Sequence, residues 1–189
     1  MRIIICPEKT VGSGTHQVNL VGPGKAVNHK HSFAIMLQSK IMNLKIKTKV
    51  AGNYQAVMAR FDRALFEALA PRQGEMKIVE FTGSKKGDKV HIRFLKPLKA
   101  EWISVITEDA TTETEAYFID EGVQLPFPLS YWRHKHIVRK ITEDTCCIID
   151  DITFRGPNAL VDLLLYPAIF LGFYPRKKIY RQYFGPAGG

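Results

Sequence analysis

The sequence predicts an α+β fold: a curved, seven-stranded antiparallel sheet with its helices on one face and a long helix at the C-terminal end. Three observations carry this. Seven segments between residues 44 and 154 alternate apolar and polar residues or are rich in β-branched side chains, with short turn signals between most of them. One amphipathic helical stretch follows the first strand, and an apolar run over residues 157–184 closes the chain. Consecutive strands on short connections form an antiparallel meander, and helices segregated over one of its faces make an α+β architecture.

Residues 1–41 come first. They are rich in Gly, Lys, His, Asn and Ser without a sustained period, which predicts a disordered extension. The competing reading makes MRIII a real edge strand. Met42 opens the first strongly patterned segment and is a candidate translation start. Residues 44–50 alternate as a half-buried strand, and Gly52-Asn53 turns the chain. Residues 54–69 place Val57, Phe61, Leu65 and Leu69 on one stripe, a single amphipathic helix stopped by Pro71. Strands are expected over 76–82, 89–95, 101–107, 114–120, 131–140 and 146–154.

In the closing run, Pro157 and Asn158 suit a helix start. Leu160, Leu163, Leu164, Pro167, Phe170 and Phe173 then cover more than half the circumference. A helix so apolar is expected to be buried on more than one side. Pro167 and the Gly172/Pro175 pair should kink or interrupt it. The folded domain is expected over 42–185, with 186–189 a flexible tail.

Composition excludes several classes. Net charge is +9, but residues 1–41 hold five Lys/Arg against one acid and the remainder 22 against 17, so the folded part is only mildly basic. Cations are scattered, without the interleaved basic face of a nucleic-acid binder. The dense cluster is Arg176-Lys177-Lys178 with Arg181, a candidate contact for anionic membrane, although cations at a helix end also complement the macrodipole. No secretory signal opens the chain, and the apolar run of about 14 residues falls short of the roughly 20 that a membrane span needs. The three cysteines, Cys6 and the pair Cys146-Cys147, follow no framework spacing and suggest a reducing, cytoplasmic setting. Cys146-Cys147 reads as strand packing rather than nucleophile chemistry. GxSxG, GxxxxGK[ST] and HExxH are all missing.

The hairpin over 131–154 holds the polar surprise. A three-residue loop, Thr142 to Asp144, sets Trp132 opposite Phe154, His134 opposite Ile152, His136 opposite Asp150 and Val138 opposite Ile148. Lys135 then meets Asp151 on the other face. The apolar inner face therefore carries His134, His136 and Asp150, groups that cost on the order of 1–3 kcal/mol each when buried unpartnered. They are satisfied cavity-lining groups, contacts to the polar end of a ligand, or metal ligands. No third metal ligand beyond Asp150 can be named from sequence, and no metal is expected. His29 and His31 repeat the spacing in the presumed tail. Trp102, Ser104, Ile106, Phe118 and Asp120 are placed to line the same face.

This order of elements, with Trp102, Phe118-x-Asp120, Trp132-x-His134-x-His136, and Asp151 ahead of Phe154-x-x-Pro157, resembles the START-like (SRPBCC) helix-grip superfamily. In particular it looks like bacterial ligand-binding members, in a group that includes polyketide cyclases, pollen-allergen-like proteins and lipid-transfer domains. The resemblance covers residues 43–184. It implies a sheet curled around the C-terminal helix and enclosing a deep apolar cavity. A single helix after the first strand departs from relatives that have two short ones.

The expected function is to bind or carry a hydrophobic small molecule, such as a lipid, isoprenoid or polyketide-like compound, without a cofactor. Trp102, Ser104, Phe118, Asp120, Trp132, His134, His136, Ile152, Phe154 and Phe170 are the candidate contacts. A cyclase/dehydratase or hydrolase is the alternative, with His134 or His136 as general acid/base near the ordinary histidine pKa of about 6.5, backed by Asp150 or Asp120. A membrane-surface or protein-interaction module is the third.

Overall fold

The structure is a computed structural model that describes residues 38–70, 76–96 and 99–187. The expectations for MRIII, for most of the N-terminal extension, for His29 and His31, and for Pro71 lie outside these residues. Strand β1 (Met42–Ala51) is followed by helices α1 (Tyr54–Ala59) and α2 (Arg63–Leu69). Then come β2 (Met76–Phe81), β3 (Lys89–Phe94), β4 (Ala100–Thr111), β5 (Glu115–Gln124), β6 (Tyr131–Lys140) and β7 (Thr145–Arg155). Helices α3 (Ala159–Phe173) and α4 (Arg176–Phe184) end the chain.

All seven strands form one antiparallel sheet in the order β1-β7-β6-β5-β4-β3-β2. The meander runs from β2 to β7, and β1, which precedes the two short helices, pairs beside β7. Period-two geometry fixes what faces inward, and the β6–β7 register is the one the apolar pattern favours: Trp132 opposite Phe154, His134 opposite Ile152, His136 opposite Asp150. Lys135 stands opposite Asp151 on the outer face as expected, but their charged ends do not meet. Asp151 binds Lys45 of β1 at 3.1 Å, while the Lys135 ammonium lies over the Tyr117 ring at 3.5 Å. Asp151 has two cross-strand neighbours on that face, and the β1 lysine takes it.

The predicted single helix over 54–69 is two helices. Asn53 caps α1 and Asp62 caps α2, accepting from the Leu65 amide at 3.0 Å. An aspartate cap at the second start competes with helix continuation. The Ser84 hydroxyl donates to the freed Phe61 carbonyl at 2.6 Å. Val57, Phe61, Leu65 and Leu69 are buried all the same, because both helices turn the same stripe to the sheet.

The C-terminal arm corrects a larger expectation. Asn158 caps α3, accepting from the Val161 amide at 3.0 Å, and Pro167 stays inside the helix; the interruption falls at Tyr174-Pro175. Buried Asp162 anchors the first turn by accepting from the amides of Gly156 and, at 2.9 Å, Lys40. Among the described residues nothing covers the outer side of α3: Leu160, Leu163, Leu164 and Leu171 are 60%, 64%, 64% and 69% exposed. Burial on more than one side would need a second layer, and α3 meets the sheet with its inner side alone. The chain end is tied down as far as Pro186, which bridges to Val50.

Candidate functional site

Between the concave sheet face, α2 and the α3–α4 arm lies a cavity of about 830 Å³. Its walls are apolar, with Leu65, Ile106, Trp102, Phe118 and Phe173 among the lining side chains. Alternation along the strands sends Ser104 of β4, Asp120 of β5, and Trp132, His134 and His136 of β6 to the same floor. Asp120 faces His134 across the β5–β6 pair, and Phe118 faces His136 with the rings stacked 4.4 Å apart. Arg176, the first residue of α4, reaches the cavity from the opposite wall, its guanidinium 3.9 Å from the Phe173 ring centroid.

Asp150 stands behind this floor, 1% exposed. Its Oδ1 meets His134 Nε2 at 3.1 Å and accepts from the Tyr180 hydroxyl at 3.2 Å; His136 Nδ1 is 3.7 Å away, beyond bonding distance. Burial pushes the His134 and His136 pKa values well below the ordinary 6.5, helped by Arg176 and, for His136, by the neighbouring imidazole. Both are therefore neutral near pH 7, and His134–Asp150 is a hydrogen bond rather than an ion pair. This corrects the expectation of a histidine poised near 6.5. The group that titrates near neutrality is Asp120, pushed up to about 7 by burial against the opposing influence of Ser104, Trp132 and Arg176. Asp120 is half-buried and lines the cavity.

Several polar atoms around the cavity lack a well-aligned partner: Ser104 Oγ, Asp120 Oδ1, Trp132 Nε1 and His136 Nδ1 on the floor, and Arg176 Nε opposite. Buried polar groups are nearly always paired, so such a concentration marks a place where water or a ligand completes the bonding. Among the described residues, Asp120, His134 and His136 also bring ligand atoms within 4.8 Å of one another, close enough to hold a metal ion. The third member is Asp120 rather than Asp150. Against a metal there, the Arg176 charge acts on all three residues and disfavours a second cation.

The structure brings together Trp102, Ser104, Phe118, Asp120, Trp132, His134 and His136 from the sequence-predicted set. Ile152, Phe154 and Phe170 do not line the cavity. They pack with Trp132, Leu44 and Ile46 in the core beside it, where β7 and β1 lie under α3. Arg176 and Phe173 were missed as site residues. Phe173, Arg176 and Tyr180 recur at three- and four-residue steps, a spacing that places an arginine on the inner stripe.

No protein-family model and no curated protein matches the sequence. Solved structures do match. XoxI from Bacillus cereus superposes with a TM-score of 0.54 at 17% identity, over 75% of this chain and 94% of that one. Norcoclaurine synthase from Thalictrum flavum gives a TM-score of 0.49 at 12% identity over 63% and 78% of the two chains. The Zhui aromatase/cyclase from Streptomyces sp. R1128 gives 0.47 at 11% identity over 61% and 68%. Likeness at these identities concerns the fold alone. With its seven-stranded antiparallel sheet curved around the C-terminal arm, the chain has the helix-grip fold.

Proposed function

We propose that the protein binds, and carries, a hydrophobic small molecule with one polar end. One observation carries the reading: polar atoms of Ser104, Asp120, Trp132, His136 and Arg176 that lack a well-aligned partner converge on an otherwise apolar cavity. Ligand sites typically occupy about 300–1,000 Å³ and combine apolar walls with a few convergent polar groups. The aromatic and aliphatic walls would cover the body of the ligand. The donors on Trp132 and Arg176 suit an acceptor such as a carbonyl, carboxylate or hydroxyl oxygen, and Asp120 tunes the pairing through its proton. Lipids, isoprenoids and polyketide-like compounds have this build.

Native mass spectrometry and organic extraction of freshly purified protein test the reading. A copurifying apolar compound is expected, lost or weakened in Arg176→Met. Protein that emerges empty, and that takes up no hydrophobic fluorophore, overturns it.

A second reading has one observation in its favour. A carboxyl poised near pH 7 at the floor of a sheltered cavity is suited to exchange a proton with a bound substrate. In a cyclase/dehydratase-type reaction Asp120 would be the acid/base, and neutral His134, held by Asp150, would orient the substrate.

A further inference from the structure

The bare side of α3 is a continuous apolar surface. Leu160, Leu163, Leu164, Pro167, Ala168 and Leu171 are all exposed at three- and four-residue steps, and the exposed Tyr174 ends the stripe. Phe127, 88% exposed, belongs to the same end of the molecule, since Leu125 and Leu129 on either side of it pack against the residues under α3. Contiguous apolar surface of this kind marks an interaction site. The stripe runs toward cations: Lys178 and Arg181 are exposed on α4, and the one acid in residues 156–189, Asp162, is buried.

The stripe is also the cavity's rim. Ala168, Leu171, Gly172 and Pro175 are exposed to the outside and line the cavity as well. By length and apolarity the run Ala159–Phe184 would serve as a membrane span. Its inner side is committed elsewhere: Phe173 packs on Trp132 and His134, and Tyr180 is fully buried. Only the outer half is free for lipid, which is the geometry of a helix lying in an interface rather than crossing it.

We infer that the exposed face of α3 seats the protein on an anionic lipid bilayer, with the mouth of the cavity opening against the acyl region. The leucines enter the boundary between headgroups and acyl chains, while Lys178 and Arg181 meet the headgroups. The inference builds on the cavity reading, and it makes the cargo a molecule that dissolves in the bilayer and passes between membrane and cavity along the α3 rim.

Flotation with vesicles of phosphatidylcholine, with and without phosphatidylglycerol, tests it on the full chain. Wild-type protein is expected to float with the phosphatidylglycerol vesicles and to float less at high salt. Leu163→Glu with Leu164→Glu, both outside the cavity lining, should lower the bound fraction about tenfold or more, since charged groups are costly at that depth. Lys178→Glu with Arg181→Glu should lower it several-fold on the anionic vesicles alone. Wild-type protein that stays unbound to both vesicle types overturns the inference. So does a wild-type dimer, by light scattering, that the leucine variant converts to monomer, because a second copy would then cover the face. Copurifying ligand is read separately, so the cavity and the docking face fail independently.

Discussion

Helices α3 and α4 reverse the usual relation between composition and burial. α3 is almost wholly apolar, yet most of its leucines face outward. α4 reads RKKIYRQYF, yet it contributes Tyr180, fully buried in the main core cluster, and Arg176, which reaches the cavity. The difference teaches that a helix is held by the few side chains that meet the sheet, whatever its average character. In α4 those are Tyr180 with Ile179, Tyr183 and Phe184 beside it; in α3 they are Leu165, Ile169, Phe170 and Phe173.

The sharpest way to break this comparison is Tyr180→Ala. The ring packs against Phe61 with centroids 6.1 Å apart and its hydroxyl donates to Asp150. Truncation empties a ring-sized volume and leaves Asp150 with one donor fewer, so a loss of about 3–5 kcal/mol is expected in urea or thermal unfolding. A loss below about 1 kcal/mol would mean that α4 is not the anchor.

Charge offers a second test, because α4 lends the cavity its cation and β5 lends it Asp120. A carboxyl raised from 3.8 to about 7 in the folded state binds more protons there than in the unfolded chain. Its contribution to stability therefore falls as pH rises between about 4 and 7, and stays lost above that. Asp150, also raised by burial, acts in the same direction. His134 and His136, lowered by burial, act in the opposite sense below pH 6.5. Subtracting the profile of Asp120→Asn isolates one group. The variant should match wild type near pH 4 and become the more stable by a few kcal/mol near pH 7.5, as a shift of about three units implies. A difference that does not grow with pH would place the Asp120 pKa at its ordinary value.

Much of this was legible in the sequence. Period-two alternation carried the β6–β7 register, and with it the inward set Trp132, His134 and His136, because a slip of one residue would have mixed polar and apolar on both faces. The placement of Ser104, Phe118 and Asp120 followed from the same alternation on β4 and β5. The break between α1 and α2 was less visible. Asp62 has the residue type of a cap, but the stripe Val57-Phe61-Leu65 continues across it in phase, and that continuity masks the break. The exposure of α3 was not legible at all. Periodicity ranks faces by polarity, and a helix apolar on every side gives it nothing to rank. Ile152 and Phe154 pack beside the cavity for a related reason: alternation says which side of the sheet a residue faces, but not whether helix or cavity lies above it there, and Phe170 of α3 joins them in that core.

The smallest expected effect is the most direct probe of the contrast between the two helices. Leu164 is 64% exposed on α3, so truncation to alanine removes little packing, and alanine is the better helix former. Leu164→Ala should change unfolding stability by no more than about 0.5 kcal/mol in either direction, as exposed positions generally do. Ile179→Ala, on the basic helix, packs against the core cluster and should cost more than that. If the leucine on the apolar helix proves the costlier of the two, then something covers α3 in solution, and light scattering of the same samples would report a second copy.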